Sequence, residues 1–260
     1  MTSTLGIKKI QYPNGTDILT LDSSGSLAIG SDLTVDTNTL HVDASNNRVG
    51  VGSTAPLKAL HVQGASEADI FLRREDLTNK SWMLNVQSST GDLNVKSRND
   101  DGSVIATSFI AHQSGYLTKP NLPSFLTYGT PSVTSVGSNH YYFNSFGNAG
   151  ESFNNGNHYN NSAGKFTAPV AGRYAFGFSV WRAQAYSGGD QLIYINKNSY
   201  ESGGAYVGSN ASGSQYDQLH VYLIYNMAVN DWVAPGLYYT GTFSIQGSTP
   251  RNYFYGYLIG

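Results

Sequence analysis

Twenty-eight of the 33 Phe, Trp and Tyr residues lie after residue 120; only Tyr12, Phe71, Trp82, Phe109 and Tyr116 precede it. Burial stabilises in proportion to apolar area, at ~25 cal/mol per Å², so only the second part has the bulk to enclose a large core. Charge runs the other way, with 22 Lys, Arg, Asp and Glu residues in 1–120 and 10 in 121–260. Between them, Lys119-Pro120-Asn121-Leu122-Pro123 carries two prolines that resist both helix and central strand. A thin N-terminal region and a globular C-terminal domain follow.

Several classes fall away on composition. There is no cysteine, which removes disulfides, thiolate metal sites and cysteine nucleophiles. A net charge of −2 gives no broad basic footprint for nucleic acid. No apolar run approaches the ~20 residues of a membrane helix. The opening Met1-Thr2-Ser3-Thr4-Leu5-Gly6 is not the basic-then-apolar pattern of a secretory leader, and synthesis in the cytoplasm without export is expected.

The N-terminal region is punctuated as short strands and turns. Asp17–Leu21, Ser26–Ile29, Asp32–Val35 and Thr39–Val42 are β-rich, separated by Asp22-Ser23-Ser24-Gly25 and Asp36-Thr37-Asn38, with Ser45-Asn46-Asn47 after the last. Leu-His-Val recurs at 40–42 and 60–62, an irregular repeat. Each segment offers two or three apolar side chains, too few to offset roughly 1–2 kcal/mol per residue of ordering entropy. Three chains wound about one axis would cover them, with Leu, Ile and Val inward; a disordered linker is the plainer alternative.

The stretch from Asp43 to Val62 contains Asn47-Arg48-Val49-Gly50-Val51-Gly52-Ser53 and then Pro56, Leu60 and Val62. It resembles a segment recurrent in tail fibres of tailed bacteriophages and in other long virion and bacterial surface proteins. Val51 stands for the usual isoleucine and Ser53 for threonine. Valines between glycines would give a small-residue strand where several backbones approach closely.

The C-terminal domain alternates with period two. Tyr174, Phe176, Phe178 and Val180 are large while Ala175, Gly177 and Ser179 are small, so one heavy face packs on a core. In Gln218–Met227 the odd positions are core-like, yet Tyr222 and Ile224 load the other face. At Tyr253–Gly260 the odd positions carry three tyrosines and Ile259, and the even ones Phe254 and Leu258. A strand apolar on both faces needs cover on both, and an exposed patch of this kind marks an interface. Tyr222, Ile224, Phe254 and Leu258 are therefore expected at a homotrimer interface.

Over most of 125–260 the sequence resembles the complement globular-head (C-one-q) family, within the tumour-necrosis-factor-like trimeric jelly rolls. Phe125–Tyr128 and Tyr141–Asn144 are similar to its first strands. Tyr159 followed by Gly164-Lys165-Phe166-Thr167-Ala168-Pro169-Val170-Ala171-Gly172-Arg173-Tyr174-Ala175-Phe176 follows its pattern G-x-F-T-x-P-x-x-G-x-Y-x-F. Ile195-Asn196-Lys197-Asn198 has Ser199 where the family has glycine, and Asn230-Asp231-Trp232-Val233 has Asn230 for glycine in G-D-x-V. Phe254–Ile259 stands for F-S-G-x-L-I. The expected fold is all-β: an intertwined trimeric β stalk, then, as the resemblance implies, an antiparallel jelly-roll β-sandwich. Calcium occurs in some such heads, but no D-x-D cluster suits it here, and no cofactor or metal is assigned.

Catalytic constellations are missing. The domain's acids Glu151, Asp190, Glu201, Asp217 and Asp231 form no carboxylate pair at a suggestive spacing. His41, His61, His112, His140, His158 and His220 form no metal-ligand pair, and no G-x-S-x-G or phosphate loop occurs. The chain is not expected to be an enzyme. Recognition would fall to loops 184–190, 210–216 and 236–240, rich in Tyr, Ser, Gly and Asn as antibody loops are. Their candidate receptor contacts are Tyr186, Asp190, Asn210, Tyr216, Tyr238 and Tyr239.

The expectation is a trimeric virion tail fibre. Residues 1–35 attach to a tail, baseplate or capsid protein, 36–120 form the β stalk, and 121–260 form a head that binds a host-surface glycan or protein. A virion appendage or decoration protein without adhesive duty is the alternative. A polysaccharide depolymerase and a bacterial adhesin exported by another route rank below both.

Overall fold

The computed structural model describes residues 9–260 apart from 12–14, 16, 22–26, 30–31, 38, 75–77, 79–80, 138, 145, 147–151, 183–188, 201–205, 210–216, 242 and 248–249. Every regular element among the described residues is a strand. The chain divides into two units, 1–120 and 121–260.

The first unit holds three sheets. Strands β1 (Lys9–Gln11), β2 (Asp17–Leu21) and β3 (Leu27–Ile29) form a meander. Strands β4 (Leu33–Val35), β5 (Leu40–Asp43), β6 (Arg48–Val51) and β7 (Leu60–Val62) form a second sheet, in which β6 and β7 run parallel. Strands β8 (Ala68–Leu72), β9 (Ser81–Val86), β10 (Leu93–Arg98), β11 (Val104–Ala111) and β12 (Leu117–Thr118) form a five-stranded antiparallel meander. Much of the expected attachment segment lies outside the described residues.

The glycine-valine motif folds back on its own chain. Asn47 and Gly52 adopt positive φ, 57° and 76°. A Cβ on Gly50 would lie 2.1 Å from the Ser53 carbonyl oxygen, and one on Gly52 would lie 2.0 Å from that of Gln63. Arg48 Nη1 donates to the Pro56 carbonyl at 2.9 Å, closing the turn. The close backbone approach expected between several chains is thus made within one chain.

The second unit is a two-sheet sandwich. Its strands are β13 (Ser124–Tyr128), β14 (Ser132–Gly137), β15 (His140–Asn144), β16 (Phe153–Asn155), β17 (Tyr159–Asn160), β18 (Lys165–Thr167), β19 (Gly172–Arg182), β20 (Gln191–Lys197), β21 (Tyr206–Ser209), β22 (Asp217–Met227), β23 (Trp232–Tyr239) and β24 (Tyr253–Leu258). One sheet has the order β16-β13-β24-β19-β22; the other runs β14-β15-β23-β18-β17, with β20 and β21 beyond β23. Strands distant in the chain are neighbours in space, the crossover pattern of a jelly roll. Phe125, Phe143, Phe146, Phe166, Tyr174, Phe176, Phe178, Ile193, Ile195 and Phe254 fill the space between the sheets, each at most 1% exposed. Phe125 stacks on Tyr159 at 4.6 Å and meets Phe254 edge-on at 4.9 Å, geometries that aromatic pairs favour.

Two sequence expectations are corrected. Phe254 lies in the core at 0% exposure, and Leu258 is partly buried against it; neither loads the outward face. The register Phe178↔Phe254 and Thr127↔Phe254 fixes this, because directly paired residues share a face and Phe178 is in the core. In addition, 236–239 are not loop but the end of β23. β23 pairs with β20 from Val233 to Tyr239, and on its other side with β18 at Trp232 and Val233 and with β15 from Gly236. Pro235 falls between those two partners, where a missing N–H costs no ladder bond.

Candidate functional site

Burying the even positions of β19 and the odd positions of β22 leaves a defined outer surface on the first sheet. Across it lie Leu126 and Tyr128 of β13, Tyr253, Tyr255 and Tyr257 of β24, Gly177 and Ser179 of β19, and His220, Tyr222 and Ile224 of β22. Tyr222 and Ile224 are 58% and 63% exposed, where the sequence places them. The true partners of these two on β24 are the tyrosines at 253, 255 and 257.

Small residues on β19 let the rings lie flat. A Cβ on Gly177 would come within 2.4 Å of the Tyr255 ring, so the ring rests on the glycine backbone. The Tyr222 and Tyr253 hydroxyls are 3.4 Å apart, and Tyr253 Oη lies 3.5 Å from His220 Nδ1. The His220 ring is nearly parallel to that of Tyr222. Partial burial, with the neighbouring Tyr222 hydroxyl second, pushes the Tyr253 phenol up to about 12. Burial also raises Tyr255. The result is a neutral surface of rings with paired hydroxyls, suited to burial against protein.

The six candidate recognition residues separate. Tyr186, Asn210 and Tyr216 lie outside the described residues. Asp190 is exposed and tied to the end of β23: its N–H donates to Thr240 Oγ1 at 3.0 Å, and its carbonyl accepts from Thr240 N at 3.0 Å. Tyr239, paired with Gln191 in β20, therefore ends its strand beside Asp190. Its ring stacks on Tyr141 at 4.8 Å and packs against the core; its hydrogen bond with Tyr141, and then burial, raise its phenol. Tyr238 faces the other way, 4.9 Å from the His140 ring. Tyr239 is thus a packing residue, and Tyr238 belongs to the outer face of the second sheet.

That outer face carries an aromatic strip that sequence reasoning missed. Tyr142 meets Tyr200 at 4.3 Å, Tyr200 meets Trp232 at 4.7 Å, and Lys165 Nζ sits 5.1 Å over Trp232. All four are half-buried. Trp232 follows the Asn230-Asp231 turn, which draws attention away from it; the signal was the alternation in which Tyr142 falls opposite the core residue Phe143.

The turns that present this face are fixed by Asp231. Its carboxylate accepts from Asn198 Nδ2 at 2.7 Å, Ala228 N at 2.8 Å and Lys197 Nζ at 2.9 Å. The Asn198 amide foremost, then Lys197, hold it down to about 2. Asn198 and Asn230 adopt φ of 55° and 70°, and at 230 asparagine serves where the related pattern has glycine. The ends of β19 and β22 are joined as well: Arg182, 1% exposed, ends β19 and makes a two-armed ion pair with Asp217, which begins β22. Arg182 Nη1 also donates to Gln191 Oε1 at 2.5 Å. Among the described residues no cluster of three or more His, Asp or Glu side chains could hold a metal ion.

Comparison with known proteins found a family match and similar solved structures. The C1q domain family matches residues 134–259, just under half the chain. No curated protein matches. Among solved structures, the globular domain of zebrafish complement 1qA is similar over 54% of this chain and 98% of its own, at 20% identity and a TM-score of 0.37. Murine APRIL is similar over 52% and 98%, at 11% identity and a TM-score of 0.37. C1q-like domains in general bind rather than catalyse and commonly form trimers. Residues 134–259 match the C1q domain family, and the two sheets described above form a jelly-roll-like sandwich consistent with it.

Proposed function

We propose that this chain is a homotrimeric virion fibre of the tail-fibre kind, whose C1q-type head contacts a host-surface receptor, a glycan foremost. The observation that carries the trimer is the outer surface of the β16-β13-β24-β19-β22 sheet. There Tyr222, Ile224 and Tyr257 are 58%, 63% and 44% exposed in one chain, around the Tyr222–Tyr253 hydroxyl pair. A contiguous apolar surface of that kind marks an interface. The fibre assignment draws on the segment 43–62, which resembles tail-fibre sequence, and on the aromatic faces left outside. Those faces are Tyr238 beside His140, and the strip Tyr142–Tyr200–Trp232. Aromatic faces beside amides and a lysine suit sugar rings, through stacking and directed hydrogen bonds.

In this reading 1–35 dock on the particle, 36–120 form the stalk, and the mature protein resides on the virion after synthesis in the host cytoplasm. Two measurements test it together: immunogold labelling of the protein on intact particles, and competition of the purified trimer with particle adsorption. Label at the tail tip together with blocked adsorption supports the fibre. Label on the particle with adsorption unaffected by the trimer assigns a decoration role instead, and release of reducing ends from host polysaccharide would assign an enzyme.

A further inference from the structure

The five-stranded sheet of the first unit has its apolar residues on the wrong side for a lone chain. Directly paired residues share a face, and the registers lay out three cross-strand rows: Ala68–Val86–Leu93–Ala111–Leu117, Ile70–Leu84–Val95–Phe109 and Leu72–Trp82–Ser97–Ala106. Twelve of these thirteen positions are apolar and the other is Ser97; none is charged. Yet Ile70, Leu72, Trp82, Leu84, Val86, Leu93 and Leu117 are 38–62% exposed.

The opposite face is mostly polar, with Met83 buried and Phe71 43% exposed on it. Asn85 and Asn94 are 0% and 2% exposed. Asn85 Nδ2 donates to Asp69 Oδ1 at 2.6 Å and Glu67 Oε2 at 3.0 Å, while its Oδ1 accepts from Lys96 Nζ at 2.7 Å. Arg98 Nη1 donates to the Gly102 carbonyl at 2.7 Å. Asn85, Asp69, Glu67 and Lys96 are thus tied to one another on this face. One face is mostly polar and hydrogen-bonded; the other is apolar and open.

We infer that the open face is a self-association surface, occupied by the same face of two further copies of this chain, so that three sheets close as a prism with the apolar rows inside. This rests on the trimeric head proposed above and names the surface by which the stalk would join it. Three considerations select a copy of the same chain. The open face carries on the order of 500 Å² of apolar area, as large as the largest patches that monomers leave exposed, and three such faces meeting reach the roughly 1,200–2,000 Å² of specific interfaces. With no charge in its rows, the face offers a heterologous partner no electrostatic selection, whereas identical apolar faces match each other. Chains already joined at their heads hold their stalks at about millimolar effective concentration, so a modest interface suffices.

The native chain has no cysteine, which makes single-cysteine variants of the full chain clean probes. Leu84→Cys lies in the middle row and Ser88→Cys in the exposed turn after β9. Under mild oxidation Leu84→Cys is expected to give interchain disulfides and, before oxidation, at least a tenfold slower reaction with a bulky maleimide than Ser88→Cys. Leu72→Cys, more exposed at 59%, repeats the test on a position where truncation removes less packing. Equal maleimide rates without interchain disulfides, in protein that still sediments as a trimer, would overturn the inference while leaving the head trimer standing. Protection without interchain disulfides would assign the face to a segment of the same chain and also overturn it. A monomeric full chain would remove the head trimer and this inference together.

Discussion

Tyr194 lies across its sheet onto Gly236, so closely that a Cβ at 236 would stand 1.9 Å from the ring Cε2. The ring is 6% exposed, and its hydroxyl bonds His140 Nδ1 at 3.1 Å and the carbonyls of Tyr200 and Leu237 at 3.2 Å. Held at both ends, it cannot swing away. Gly236→Ala should cost about 1–3 kcal/mol, the range for overpacked sites. In urea unfolding of the full chain, Gly236→Ala should cost much less in a Tyr194→Ala background than in the native chain, because the two changes share one contact.

The Arg182–Asp217 pair gives a second, asymmetric prediction. Arg182 is 1% exposed, whereas the Asp217 side chain is 40% exposed. Asp217→Ala leaves a buried guanidinium without its carboxylate and should cost about 3 kcal/mol; Arg182→Met, which removes the buried charge itself, should cost clearly less. Equal losses in thermal unfolding would contradict this account of the pair.

Two groups contribute to the pH dependence of the head. Asp231 is held down to about 2 by Asn198 and Lys197, so its contribution is complete above the ordinary carboxylate range and disappears as pH falls from about 4 toward 2. Tyr253 is pushed up to about 12. Its contribution is complete below pH 10 and is lost as pH rises from there through 12. Stability against pH should therefore fall at both ends. Asp231→Asn should lower stability at neutral pH and flatten the acid limb; Tyr253→Phe should flatten the alkaline limb.

The outer tyrosine surface predicts its own disruption. Ile224→Glu places a charge among Tyr222, Tyr255 and their neighbours. Because Ile224 is 63% exposed in the single chain, the change should leave the fold intact. Circular dichroism should be unchanged while trimers fall apart. Phe254→Glu, by contrast, should abolish folding, since that ring is wholly buried.

The strands were largely legible because their alternation is strict. Tyr174, Phe176, Phe178 and Val180 are all buried as period two requires, and Asp17–Leu21 is a strand from end to end. The faces of β24 were not legible, since tyrosine serves equally as core and as interface. Only the register with Phe178 separates Phe254 from Tyr253 and Tyr255. The end of β23 was hidden because its Gly- and Tyr-rich sequence also suits a loop, and its pairing with β15 and β20 is a tertiary fact. The exposed rows of β8 to β11 were hidden for a similar reason. Ile70, Leu84 and Val95 are far apart in sequence and reveal one face only when paired.

The central claim, that a single copy leaves apolar β surface uncovered and the chain exists as three, is tested most directly by the molar mass of the full chain in solution. Light scattering on a size-exclusion column at micromolar concentration should give three times the 28.0 kDa chain mass. A folded, monodisperse species at 28.0 kDa would contradict it.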